Sequence, residues 1–410
     1  MAIDFGKRFG FGTLRLPITD PADQGSIDYD ELCKMIDKFQ AHGFTYYDTS
    51  YIYHDFKSEI ALRECLVKRY PRDAYLLSTK VPVKFMNKKE DVERVFNEQL
   101  EKLGVDHFDF YLIHSINHES YEKCKEWGVF DFLKKMREEG KFREFGVSLH
   151  DTPEFLDQIL TEHLEINFVT LQINYLDWYS PAIRSSELYE TALKHGKPCI
   201  SMEACKGGTL SEIPEEAVQL MKAYNPDASP ASWAYRFCAS LPNCRVVLSG
   251  MPKMEFLDDN IKTMENFVPL NDEEQEILKK VVDIINANIA IPCTTCRYCE
   301  PKCPKKIAIP DYFNLYNDYC RTNKNTKVTV VSTQSIFCQN IVNRGRGAAS
   351  DCVKCGKCEK VCPQRLPIRE HLETVARDLE AFNALKNLTN ADKGEGNDSG
   401  LSTDYWKKKD

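Results

Sequence analysis

The 410-residue sequence predicts an α/β chain, a (β/α)8 TIM barrel followed by a small, cysteine-rich α+β domain. Three observations predict it. Residues 5–266 repeat one unit eight times, a short apolar run followed by an amphipathic helical stretch. Eight such units over roughly 260 residues match the size of that barrel. Near the end, "CTTCRYCEPKCP" from Cys293 and "CVKCGKCEKVCP" from Cys352 each place four cysteines at the spacing C-x2-C-x2-C-x3-C-P. A doubly wound open sheet is the alternative for the first part, but no G-x-G-x-x-G follows its first run.

The apolar runs are, in order, "FGFGTLRLP", "FTYYDTS", "AYLLSTKV", "FDFYLIHS", "EFGVSLH", "FVTLQINYL", "PCISMEA" and "CRVVLSGM". Nearly continuous apolar strands alternating with helices indicate parallel β-structure covered by helices. Several helical stretches end in glycine (Gly43, Gly104, Gly196), which suits a left-handed C-cap before the next strand. The chain divides into a barrel (1–270), a linking helix (271–290), a cysteine-rich domain with a C-terminal helix opened by Pro367 (291–387), and a polar tail (388–410).

Hydrophobic residues make up 42% and charged residues 28%, enough apolar content for a large core. The start, "MAIDFGKRFGFG", has no apolar core of a secretory signal, and no apolar run is long enough to span a bilayer. Seventeen cysteines in such a chain indicate reduced thiols and metal sites in a cytoplasm rather than disulfides. The net charge of −8 conceals an asymmetry: residues 291–370 hold 14 Lys and Arg against 6 Asp and Glu, a formal +8, leaving −16 for the remainder. These basic residues interleave with the cysteines, which speaks against a nucleic-acid partner.

Functional groups of such a barrel sit at the C-terminal ends of its strands. Those ends carry Asp48, Lys80, His114, Ser148, Gln172 with Asn174, Glu203, and Ser249 with Gly250, and Tyr53 follows five residues after Asp48. A Lys and an Asp from adjacent strand ends would pair, and a phenol beside that ammonium has its pKa lowered from about 10. Tyr53 is then a general acid, with His114 across the mouth orienting a carbonyl oxygen. Singly, each is more often a helix cap, a rim charge or a satisfied core histidine. Four in register on eight units point to protonation of a carbonyl oxygen as hydride reaches its carbon.

This set resembles the catalytic tetrad of the aldo-keto reductases, carried by "GFTYYDTSYIY" at Gly43–Tyr53, "STK" and "LIH" in strand order. The resemblance implies a small carbonyl or alcohol substrate, NADP or NAD, Tyr53 as acid/base, Lys80 and Asp48 as its tuning pair and His114 as the substrate-positioning group. It also implies that Ser148 and Gln172 hold the nicotinamide carboxamide, and that Gly207, Gly208, Ser249, Gly250 and Asn260 lie in loops around the cofactor. Leu149 stands where many members carry Asn, with His150 as its substitute, and Lys253 has no following Arg to clamp a 2′-phosphate. Tyr51, Trp127, Tyr175 and Trp178 lie in loops that would line an aromatic pocket or pack the rim.

The two cysteine runs match the bacterial ferredoxin pattern for [4Fe–4S] clusters, with zinc as the metal alternative. By that resemblance the fold ends in a ferredoxin-like iron–sulfur domain with two clusters and an oxygen-sensitive, anaerobic habit. Since the fourth cysteine of each run ligates the other cluster in such domains, Cys293, Cys296, Cys299 and Cys362 would hold one. Cys352, Cys355, Cys358 and Cys303 would hold the second. The remaining nine cysteines lack ligand spacing, and Cys205 is expected to have no catalytic role. Hydride carries two electrons and each cluster one, so a flavin is the group that would bridge them. The functional readings are therefore a nicotinamide-dependent carbonyl oxidoreductase with clusters as electron entry or exit, a reductase fed through its clusters with a flavin or substrate at the mouth, and a non-catalytic electron-transfer module. The basic domain suits an acidic ferredoxin or flavodoxin as partner.

Overall fold

The computed structural model describes residues 3–287, 289–321 and 327–380. Eight parallel strands close a barrel in sequence order: β1 (Phe9–Gly12), β2 (Tyr46–Asp48), β3 (Leu76–Val81), β4 (Phe108–Ile116), β5 (Phe142–Leu149), β6 (Phe168–Gln172), β7 (Cys199–Met202) and β8 (Cys244–Gly250). Alternation along a strand sends one parity inward and the other towards the helices. Phe5, Tyr46, Phe110, Leu112, Phe168, Ile200 and Val246 make one cluster that fills the barrel interior. The opposite parity, with Phe9, Phe11, Tyr47, Leu77, Tyr111 and Val147, belongs to the larger core under the helices. Asp48, Lys80 and His114 continue the inward parity of Tyr46 and Phe110 past this plug, so the same period that packs the interior aims them into the mouth.

Gly43, Gly104 and Gly196 all adopt left-handed backbone (φ 72°, 69° and 64°) at helix ends. The helix foreseen as a linker spans Asp272–Asn286, opened by a reciprocal cap between Asn271 and Glu274. Ile277, Leu278 and Val281 bury against Met221 and Trp233, so this helix is part of the barrel's outer layer rather than a spacer. The helix after the second cysteine run covers Ile368–Val375 and continues as a wider turn to Glu380. Its expected extension to residue 387 and the tail at 388–410 lie outside the described residues.

Residues 289–380 contain the same backbone twice, 59 residues apart, as Cys293 and Cys352 mark. Left-handed φ recurs at Thr295 and Lys354, Arg297 and Gly356, and Lys306 and Arg365. Short turns at Glu300–Lys302 and Glu359–Val361 and helices starting at Ile309 and Ile368 follow in the same order. The β content of this unit among the described residues is one parallel bridge between Ile307 and Gly347. Between the repeats lies the helix Lys327–Asn343, which packs on the barrel mouth and is called the mouth helix below.

Candidate active site and cysteine-rich unit

Lys80 Nζ donates to Asp48 Oδ1 at 2.6 Å and to the Thr49 carbonyl at 2.7 Å, and Ser78 Oγ holds the other Asp48 oxygen at 3.2 Å. The ammonium lies 5.0 Å from the centre of the Tyr53 ring. That ring meets His114 edge-on at 5.6 Å, and Ser50 Oγ sits 3.0 Å from His114 Nδ1. Asp48, Tyr53, Lys80 and His114 therefore converge on one face. Tyr53 rides on a loop that returns through Ser58, whose backbone N–H donates to the Tyr53 carbonyl. Thr49, Ser58 and Thr13 hydroxyls lock that return into a buried chain.

Burial pulls the Lys80 pKa down, but Asp48 and Tyr53 more than compensate and raise it above its ordinary value, so the ammonium persists. Burial, then Lys80 and His150, hold His114 well below the usual imidazole range, leaving it neutral. The expectation of a lowered Tyr53 pKa is not met. Burial raises it, and Lys80 offsets only part of that because Asp48 adds negative charge beside it. Tyr53 is accordingly a phenol, able to donate a proton, throughout neutral pH.

The foreseen cofactor residues divide. Gln172, 1% exposed, donates its amide N–H to Asp177 at 2.8 Å and turns its other end towards the His150 side chain. Ser148 Oγ accepts from the Ser115 backbone N–H at 2.7 Å. Gly207 and Gly208 take φ of 65° and 100°, a double left-handed turn that suits residues without Cβ. Ser249 and Asn260 bond each other at 3.1 Å, and Tyr235 completes the group. Gly250 packs its backbone on Arg15, while Lys253 sits exposed and pairs with Glu255. Cys205, raised to about 12 by burial, is a thiol at neutral pH. Tyr51 is turned into the helical layer, where it donates to Glu98, and so does not line a pocket at the mouth.

Arg15, just past β1, escaped sequence reasoning. Its Nη2 is buried without a partner, and its charge acts on both Tyr53 and Cys205 across the mouth. The unpaired Arg15 guanidinium and the left-handed glycine pair fit an anionic dinucleotide, and the facing Gln172 and His150 side chains offer polar groups to a carboxamide at its end. Arginine one element beyond a strand end is the only cue the sequence offered.

Cys293, Cys296 and Cys299 of the first run line one pocket together with Cys362 of the second. Four cysteines around a common space, three from one run and the fourth from the other, are the donor set of an iron–sulfur cluster. No three Cys, His, Asp or Glu side chains among the described residues stand in metal-holding geometry. Left-handed residues recur between the cysteines of both runs, the kind of backbone from which anion-binding concavities are built.

The two units are stitched at the mouth, a relationship invisible in the sequence. Asn340 of the mouth helix donates to the His150 carbonyl at 2.7 Å and accepts from Asn117 at 3.0 Å. Phe337 meets the His150 ring edge-on at 6.0 Å, Thr333 donates to Glu203, and Arg344 pairs with Asp151 at 2.5 Å. Deeper, Lys206 is held between Asp177 and Asp318, the latter from the helix Ile309–Cys320. Gln172 thus connects through Asp177 and Lys206 to the cysteine-rich unit.

Residues 8–283 match the aldo/keto reductase family model, and residues 292–366 match that of the 4Fe-4S dicluster domain. The chain belongs to the aldo/keto reductase family. It is an oxidoreductase of that family with a 4Fe-4S domain attached. An aldo-keto reductase of Mycolicibacterium vanbaalenii is 26% identical over 224 residues, spanning 54% of this chain and 74% of its own. Aldo-keto reductase AKR11C1 from Bacillus halodurans (holo form) superposes with a TM-score of 0.55 at 20% identity, covering 67% of this chain and 91% of that one. The aldo/keto reductase from Klebsiella pneumoniae in complex with NADP and acetate gives 0.54 at 19%, covering 67% and 91%. At such identities the likeness is one of fold. No helix among the described residues is long and apolar enough to cross a membrane.

Proposed function

We propose that this aldo/keto reductase interconverts a small carbonyl compound and its alcohol with NADPH or NADH, and that two [4Fe–4S] clusters exchange electrons with that site. The observation that carries the reading is the convergence of Tyr53, Lys80, Asp48 and His114, with the phenol protonated and the ammonium charged at neutral pH. A bound nicotinamide would supply the hydride. Tyr53 holds its phenolic proton towards a substrate carbonyl oxygen. Lys80, fixed by Asp48, stabilises the phenolate left when that proton is given up, and neutral His114 orients the oxygen. Gln172 and Arg15 would hold the cofactor's carboxamide and phosphates.

Cys293, Cys296, Cys299 and Cys362 would bind the first cluster, and Cys352, Cys355, Cys358 and Cys303 the second. Support for an electron path to the barrel, rather than a passive attachment, comes from the mouth helix and its contacts with His150, Asp151 and Glu203. A second reading, a reductase fed through its clusters with a flavin at the mouth, draws on Lys253, which pairs with Glu255 and leaves no 2′-phosphate clamp on that loop. Visible absorption of anaerobic protein decides between them. Bleaching of the iron–sulfur band by NADPH or NADH alone supports the first reading. Bleaching by a chemical reductant but by neither nicotinamide favours the second.

A further inference from the structure

The 59-residue repeat allows each cluster site to serve as a control for the other. Backbone, turn and cysteine positions coincide between the halves, including exposure: Cys296 and Cys355 are both exposed, and Cys299 and Cys358 both buried. Charge does not coincide. Around Cys352, Cys355, Cys358 and the crossing Cys303 lie Lys302, Lys305, Lys306, Lys354, Lys357 and Lys360. The positions equivalent to these, around Cys293, Cys296, Cys299 and Cys362, are Val361, Gln364, Arg365, Thr295, Tyr298 and Pro301. Six lysines thus face one arginine across the same frame. The first site also has Arg297, tied to Glu300 and Asp311, and Arg346, tied to the same Glu300.

Two like clusters bound by like ligands carry like charge. If the basic residues served only to balance them, both sites would be similarly basic, and they are not. Five of these six lysines are not committed elsewhere. Lys354 pairs with Glu373, whereas Lys302, Lys305, Lys306, Lys357 and Lys360 are exposed and make no ion pair among the described residues. Exposed Val353 lies beside them, next to ligand Cys352. An apolar contact ringed by uncommitted cations, over a cluster edge, has the features of a transient electron-transfer interface.

We propose that the surface over Cys352, Cys355, Cys358 and Cys303 is the docking face for a small acidic one-electron carrier protein, and that the cluster at the other site exchanges no electrons with it directly. This rests on the two-cluster reading given above. Each encounter moves one electron, oxidising the carrier and reducing the cluster by one. The lysines gather the carrier by long-range attraction, so they act on the association rate and their effect fades with salt.

The test uses the full, cluster-loaded protein under anaerobic conditions, with a reduced acidic ferredoxin as probe and dithionite as a small reductant for comparison. For the natural sequence, the second-order rate with ferredoxin should fall at least about tenfold as ionic strength rises from low to high. Replacing Lys302, Lys305, Lys357 and Lys360 by Gln together should lower the low-salt rate by about tenfold and flatten its salt dependence, with the dithionite rate unchanged. Replacing four exposed barrel lysines (Lys134, Lys135, Lys222 and Lys280) by Gln alters net charge equally and should change the rate less than about twofold. A salt-independent ferredoxin rate in the natural sequence, or equal losses from both quadruple variants, overturns the docking face while dithionite reduction still stands. Failure of dithionite itself to reduce the protein overturns the two-cluster reading as well. If the first quadruple variant does not load its clusters, the salt dependence of the natural sequence decides.

Discussion

Lys206 of the barrel and Asp318 of the cysteine-rich unit form an ion pair at 2.9 Å with both side chains about 1% exposed. Asp177 completes the arrangement at 2.7 Å and also receives the amides of Gln172 and Asn174. A buried ammonium between two carboxylates is maintained only while both units stay docked, because separation exposes three groups that no longer satisfy one another. The two family units therefore behave as one folded body at this seam.

Asp318→Ala leaves Lys206 with Asp177 alone. Breaking a fully buried pair costs about 3–5 kcal/mol, and the surviving partner should keep the loss near the bottom of that range. Lys206→Met with Asp318→Leu, which removes both charges, should recover part of it. Denaturant midpoints of the loaded protein measure this, and an unshifted Asp318→Ala midpoint would refute the seam's importance.

Tyr53→Phe removes the donated proton and should lower carbonyl reduction by about 10²–10⁴-fold while the iron–sulfur absorption is retained. For the natural sequence the pH profile follows from the raised phenol pKa. The acid form is present below that value and lost above it, so reduction should hold level through neutral pH and decline only beyond about 10. Alcohol oxidation, which needs the phenolate, should rise over the same alkaline range. A reduction rate already falling near pH 8 would contradict the burial-dominated phenol.

Arg15→Gln removes the unpaired guanidinium beside the mouth. Nicotinamide dinucleotide affinity should weaken about tenfold, equivalent to one charge-assisted hydrogen bond. Fluorescence titration with NADPH and NADH reads it directly. Unaltered dissociation constants for both would remove Arg15 from the phosphate site.

The crossed ligand sets predict how cysteine substitutions combine. Cys362→Ser and Cys293→Ala strike the same pocket, so the double variant should lose about four irons, no more than either single one. Cys362→Ser with Cys352→Ala strikes both sites and should lose about eight. Iron analysis that shows the reverse pattern would assign each run its own cluster.

Much of this was legible because period and spacing are local. Strand parity sent Asp48, Lys80 and His114 to one mouth, and thiol spacing alone marked the cysteine runs. What the sequence withheld was distance in space. Asn340 and His150, or Lys206 and Asp318, are far apart in the chain and carry no pattern that pairs them. The Tyr53 pKa was misjudged for a related reason: the lysine beside it could be foreseen, but the burial that outweighs it could not. For Tyr51 the sequence leaves pocket lining and rim packing both open, and its hydroxyl finds Glu98 in the helical layer.

The contact between Asn340 and His150 also sets an order of events during synthesis. A ribosome adds about 5–20 residues per second, so His150 waits roughly ten to forty seconds for the residue that caps its carbonyl. The strands can close in that interval, but the rim stays unfinished until the mouth helix emerges. On the crossed ligand pattern, the first cysteine site would wait for Cys362 and the second for Cys358, so neither would be complete until most of the second run has been made. On that pattern iron delivery would follow translation of both repeats, by which time the mouth helix between them has already emerged to close the rim.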